Sequence, residues 1–373
     1  MKKWLLIVTG ILFFAGINVL AQGVKFEKIT FQEALNKAGK EDRLVFIDCY
    51  TEWCGPCKGM DKQVFPKENV GAFMNAHFVN LKMDMEKGEG PALLKKYAVG
   101  AFPTFLLLKP DGSLHFKFVG GMSDSQFVST VRSGMAADNK VFALQQAYAA
   151  GDRSPEVCRS YIKMKVEVQE IPAAQEAAKE YLASLSPKER TAPENWFLFG
   201  ENRYAMYLSN VHSASFRYLV QNRKAFLKRI PADTVDARIR ALYGALAEHA
   251  LRDWYFKKEP YTPGMFNDLV AYAEASGMKD KKQLVALIRI ADAAGRKDDE
   301  ELLELLAANT TKFSEQHKRV FFPFIGGYMS HLPKHEFDGI LKRMFSDLVN
   351  TSTNPHLVSM ANSQLKRLNE NVN

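Results

Sequence analysis

The residues whose type and spacing could do chemistry in this chain are Cys54 and Cys57, separated by Gly55 and Pro56 in "VFIDCYTEWCGPCKGM". A thiol attacks only as its thiolate, so a working cysteine needs surroundings that hold negative charge. A helix starting at this motif would supply them, because its first backbone N–H groups are unpaired and its dipole is positive at that end. Pro56 has no N–H to leave unpaired in that first turn, and it stiffens the turn. Two intervening residues bring Cys57 round one turn, within reach of a mixed disulfide on Cys54. Three readings stand: a redox couple, a local staple, or half a metal site. Zinc would need two more ligands, and no second Cys-x-x-Cys follows; His331 and His335 have a ligand-like spacing but read as helix surface. Haem attachment would need His where Lys58 stands. No metal or cofactor is expected, and the redox couple is the reading carried forward.

The elements that must position this pair are legible on either side of it. Phe31, Ala34, Leu35 and Ala38 recur at helical spacing before Gly39. "RLVFIDCY" is a continuous apolar strand with one acid in it, of the kind buried on both faces of a sheet. The helix opening at Cys54 should stop at Pro66, and a short helix bearing Val70, Phe73 and Met74 leads into the strand "HFVNLKMD". "GPALLKKYAV" reads as a further helix, with Pro91 near its start. "TFLLL" and "LHFKFVG" flank "KPDG", a turn that closes an antiparallel hairpin. A last helix begins at Ser123, with Gln126 completing a capping box and Phe127, Val128, Val131 and Met135 facing inward. The fold class is α/β, a mixed sheet flanked by helices.

The stretch "VFIDCYTEWCGPCK" resembles the active-site segment of the thioredoxin family, including the Gly-Pro dipeptide of its reducing members. The insert "GMDKQVFPKENVGAFMNAHFVNLKMD" is more similar to exported thioredoxin-like domains, such as the C-terminal domain of the transmembrane thiol reductase. The resemblance implies a thioredoxin fold for residues 22–137, with Cys54 attacking, Cys57 resolving and Asp48 as the buried acid that takes the Cys57 proton. Burial in an apolar strand should raise the Asp48 pKa toward neutrality. It also implies a cis bond before Pro103 in "GAFPTF", turning the Phe102 backbone toward a substrate strand. Trp53, Gly55, Pro56, Phe102 and Pro103 would then form the substrate-binding surface. Counting back from Asp84 puts Asn80 where the family has a lysine paired with the acid. Cys49 and Tyr50 replace two aromatic positions, and Cys49 is expected to pack on the sheet face opposite Asp48.

The chain is 373 residues long, with 47% hydrophobic and 25% charged residues, enough for two or three globular units and no case for disorder. Residues 1–21 put two lysines before an apolar run that closes on Val19-Leu20-Ala21, a signal peptide pattern, so the mature protein is expected to start at Gln22 and to work in a bacterial periplasm. Losing Lys2 and Lys3 takes the formal charge from +8 to +6, and without a basic block nucleic-acid binding is not expected. From 138 to 373 the alternation of strands disappears and an all-helical domain is expected, with a tetratricopeptide-like stack left open. Ser154-Pro155, Ser186-Pro187 and Thr262-Pro263 read as helix starts. Cys158 falls in one of these helices, and a Cys49–Cys158 bridge is left open. Two functions follow: an exported thiol-disulfide oxidoreductase, reducing protein disulfides and recharged by a membrane thiol-electron donor, or a binding module whose helical domain recruits a protein partner. Oxidase or isomerase work is the variant of the first.

Overall fold

The computed structural model describes residues 23–136, 140–200 and 202–370. The signal peptide expected over residues 1–21 lies outside them. The chain divides into two compact units, Met1–Ala177 and Ala178–Asn373.

The first unit opens with α1 (Phe31–Glu41), started by a capping box in which Thr30 and Glu33 satisfy each other's backbone N–H groups. Strand β1 (Leu44–Tyr50) is the centre of a four-stranded sheet and leads into α2 (Gly55–Gln63). Helix α3 (Glu68–His77), β2 (Phe78–Asp84) and α4 (Gly90–Lys96) follow. The hairpin of β3 (Thr104–Leu108) and β4 (Leu114–Val119) and then α5 (Asp124–Met135) complete the α/β part. The strand order is β2-β1-β3-β4, with β1 parallel to β2 and the other neighbours antiparallel. The Pro110–Gly112 turn works because Gly112 takes φ +77°.

Alternation along β1 divides the core. Val45, Ile47 and Cys49 pack with Phe31, Leu35 and Tyr97 of the α1 and α4 side. Phe46 packs on the other face with Met60, Val64 and Phe65 of the α2 segment and with Phe105 and Phe127. The Phe46 ring stacks on Phe105 and meets Phe127 edge-on, each at 5.8 Å. Full burial of each such ring is worth about 2 kcal/mol, so this face fixes α2 firmly to the sheet. Asp48, two residues after Phe46, shares its face and therefore lies beneath α2.

The first unit continues past the α/β part. Helices α6 (Lys140–Ala149) and α7 (Pro155–Glu167) pack together, and α6 also packs on the edge strand β4. Helix α8 (Ile171–Ser184) crosses the division between the units. The expected boundary at 137/138 marked a change of residue pattern, whereas the chain divides by packing at 177/178. The second unit is helical throughout its described residues. Its longest helix, Ala232–Leu251, packs beside Lys281–Arg296, burying Val235, Ile239, Leu242 and Leu246 against Leu284, Leu287, Ile288 and Ala291. Helix lengths there run from 4 to 20 residues. Ser186-Pro187 starts a helix as expected, but Thr262-Pro263 does not: Gly264 at φ +81° turns the chain, and the helix begins at Asn267.

Candidate active site

Strand β1 ends at Tyr50, and the turn that follows delivers Cys54 as the N-cap residue of α2. Cys54 and Cys57 are joined by a disulfide with their Cα atoms 5.4 Å apart. The Cys57 backbone N–H also donates to Cys54 Sγ at 3.1 Å. In the reduced pair that donor and the start of α2 would hold negative charge on Cys54, the condition for attack.

Asp48 is 1% exposed, and its Oδ2 accepts from Lys82 Nζ at 2.6 Å. Its Oδ1 is buried with no hydrogen-bond partner. A half-satisfied buried carboxylate is costly as the anion. Burial accordingly pushes the Asp48 pKa up from 3.8 to about 6, against the pull of Lys82. Lys82 also donates to Asp61 Oδ1 at 2.6 Å and sits 4.4 Å from the Tyr50 ring centroid. Burial disfavours its charge, but the two carboxylates outweigh that and raise its pKa.

The acid's lysine partner is Lys82, and Asn80 does not occupy that position, contrary to expectation. The parallel register sets Asp48 opposite Lys82 and Phe46 opposite Asn80. Asn80, Lys82 and Asp84 all point to one face of β2, so only the register, which a single strand does not reveal, distinguishes them. Asp61 was missed as well; it stands four residues after Cys57, and helical periodicity would have placed it on the same face of α2. Cys49 is fully buried on the opposite face from Asp48, and burial, with Asp48 adding, pushes its thiol well above the ordinary range. As a free buried thiol it forms no bridge to Cys158, which is buried too.

The disulfide itself is nearly buried, and exposed residues flank it. Trp53 is 67% exposed; its Nε1 donates to Glu86 at 3.0 Å and its ring meets Phe102 edge-on at 5.8 Å. Gly55 and Pro56 are exposed beside it. The Phe102–Pro103 peptide is cis. Pro103 directly precedes Thr104, which pairs with Cys49, so the Phe102–Pro103 loop runs alongside the end of β1 that feeds Cys54. His331 is exposed at the end of the 3₁₀ turn Met329–His331, whereas His335 lies in the turn before the next helix, bonded to Asp338 at 3.0 Å. Among the described residues no three His, Cys, Asp or Glu side chains gather to hold a metal ion.

The sequence profile of the Thioredoxin-like domain matches residues 31–134. Thioredoxin Y2, chloroplastic, of Arabidopsis thaliana is 33% identical over 122 residues, which are 33% of this chain and 67% of that protein. This chain belongs to the thioredoxin-like family. Its thioredoxin-like domain is also similar to the thiol:disulfide interchange protein DsbD of Pseudomonas fluorescens, at 35% identity over 83 residues, 22% of this chain but 14% of that one. A solution structure of a proposed disulphide-isomerase from Bacteroides thetaiotaomicron is 45% identical, covering 31% of this chain and 97% of that chain, with a TM-score of 0.30. The chain thus spans between a seventh and two thirds of the curated relatives named here. The thioredoxin-like family consists in general of thiol-disulfide oxidoreductases.

Proposed function

We propose that this protein is an exported thiol-disulfide oxidoreductase that reduces disulfides in other proteins. The observation that carries the reading is the Cys54–Cys57 pair at the start of α2, with the buried Asp48 of raised pKa behind it. Reduced Cys54, as thiolate, attacks one sulfur of a substrate disulfide; a mixed disulfide forms and one substrate thiolate leaves and takes a proton. Asp48 accepts the Cys57 proton, and Cys57 attacks Cys54 Sγ, releasing the second substrate sulfur as its thiol once it is protonated. The substrate gains two electrons and two protons, and the protein ends as the disulfide. Similarity to a thiol:disulfide interchange protein supports exchange chemistry. The export signal read over residues 1–21 supports a bacterial periplasm, where a membrane thiol-electron donor would return the pair to the dithiol.

Insulin precipitation by dithiothreitol tests the activity. Wild-type protein should accelerate it and Cys54→Ser should not; a wild type no faster than dithiothreitol alone would sink the proposal. Direction is read from the midpoint potential of the pair, where a value well above about −180 mV, the isomerase range, would assign oxidation or isomerisation instead. Cys57→Ser should trap protein substrates as mixed disulfides on Cys54.

A further inference from the structure

Lys117 is a lysine on a sheet strand that is almost completely buried, with its side chain 3% exposed. A buried ammonium needs acceptors, and Lys117 has three. Its Nζ donates to the carbonyl oxygens of Tyr97 at 3.0 Å and Ala98 at 2.7 Å, and to Glu170 Oε1 at 2.7 Å. Tyr97 and Ala98 close the last turn of α4, where free carbonyls and the helix dipole favour a cation. Glu170 lies between α7 and α8, beyond the end of the family match, and also holds Lys165.

A second contact between the same two stretches is independent of charge. A Cβ placed on Gly100 would lie 2.3 Å from the Gln169 carbonyl oxygen, and the three atoms nearest to it all belong to Gln169. Gly100 does not take a positive φ, so its own backbone would accept alanine; what forbids a side chain is the carbonyl seated against it. Residues 97–100 lead directly into Ala101, Phe102 and Pro103. The turn at 169–170 is thereby fastened to both ends of a short segment that continues into the loop facing Trp53.

We infer that Gln169 and Glu170, with Lys117, are positioning residues for the Phe102–Pro103 loop, so that the helices following the thioredoxin-like domain set how a substrate strand is received at Cys54. This rests on the exchange function proposed above for its catalytic consequence, but not for its structural one. The turn does not touch the disulfide, so it should act on substrate binding and leave the redox pair alone.

Two full-length variants test it. Glu170→Gln weakens the charge holding Lys117, and Gly100→Ala pushes on Gln169 without altering any charge. In both, amide hydrogen exchange over residues 97–103 should quicken while exchange in the β1 strand stays as in wild type, which also shows that the variants are folded. The KM for insulin should rise about tenfold with kcat little changed, within the loss that small misplacements produce, and the midpoint potential of Cys54–Cys57 should not move. Unchanged exchange at 97–103 in both folded variants overturns the inference, as does faster exchange with an unchanged KM. A wild type without insulin activity would overturn the exchange function instead, and the hydrogen-exchange comparison alone would then decide the positioning role.

Discussion

Under the proposed function Asp48 ties the stability of the protein to its chemistry. Its pKa rises from 3.8 to about 6 on folding, so between those values the folded chain holds a proton that the unfolded chain has released. That contribution to stability is fully present below pH 3.8 and is lost as pH rises through about 6. At about pH 8 the buried anion then costs the fold up to about 3 kcal/mol, and Asp48→Asn should recover a good part of it. Urea unfolding at about pH 8 should show the variant more stable, with the gain vanishing at about pH 3.5; equal stability at both pH values would contradict the raised pKa. In the proposed exchange reaction the same group sets the opposite trend in activity. As a base Asp48 works ionised, so kcat/KM of the wild type should fall as pH drops below about 6. Asp48→Asn should lack that inflection and be slower by about 10²-fold at about pH 7. Lys82→Met removes the cation that favours the anion, so the inflection should move upward by about a pH unit or more. An inflection that stays in place would mean Lys82 does not govern Asp48.

At the scale of elements, local signals decided what could be read beforehand. Capping residues and turn chemistry marked α5 and the β3–β4 hairpin, because each rests on interactions within a few residues. Ser123 caps α5 reciprocally with Gln126, and neither residue belongs to the exchange machinery, so the cap is a clean probe of stability. Ser123→Ala should cost about 1 kcal/mol, read as a Tm lower by a few degrees with insulin activity unchanged. The Cys54–Cys57 pair and its place at the start of α2 were legible for the same reason. The partner of Asp48 was not, because Asp48 and Lys82 are 34 positions apart and meet only through the β1–β2 register. Thr262-Pro263 misled in the other direction: the dipeptide suits a helix start, but Gly264 and its left-handed backbone win locally and make a turn.

Across the whole molecule, the family match ends at 134 while the first compact unit ends at 177. The difference was hidden because nothing local announces that α6 packs on β4, or that the turn after α7 meets the segment following α4. The physical consequence falls on β4. It pairs with β3 on one side only, and an uncovered edge strand invites pairing with other chains. Here α6 packs against it, and Glu170 closes over Lys117. α7 in turn buries Cys158, Ile162, Met164 and Val166. A chain of residues 23–184, ending with α8, keeps α6, α7 and Glu170, whereas one of residues 23–136 strips α6 and Glu170 from β4 and leaves it packed by β3 and α5. The shorter chain should still close the Cys54–Cys57 disulfide, since β1 and α2 are intact. It should be less stable to urea by at least about 2 kcal/mol, because apolar surface beside β4 is then left in water. It should also self-associate at concentrations where the longer chain stays monomeric, as sedimentation would show. Equal midpoints and two monomers would mean that the thioredoxin-like domain ends where its family profile ends, and that the helices beyond it add nothing to the sheet.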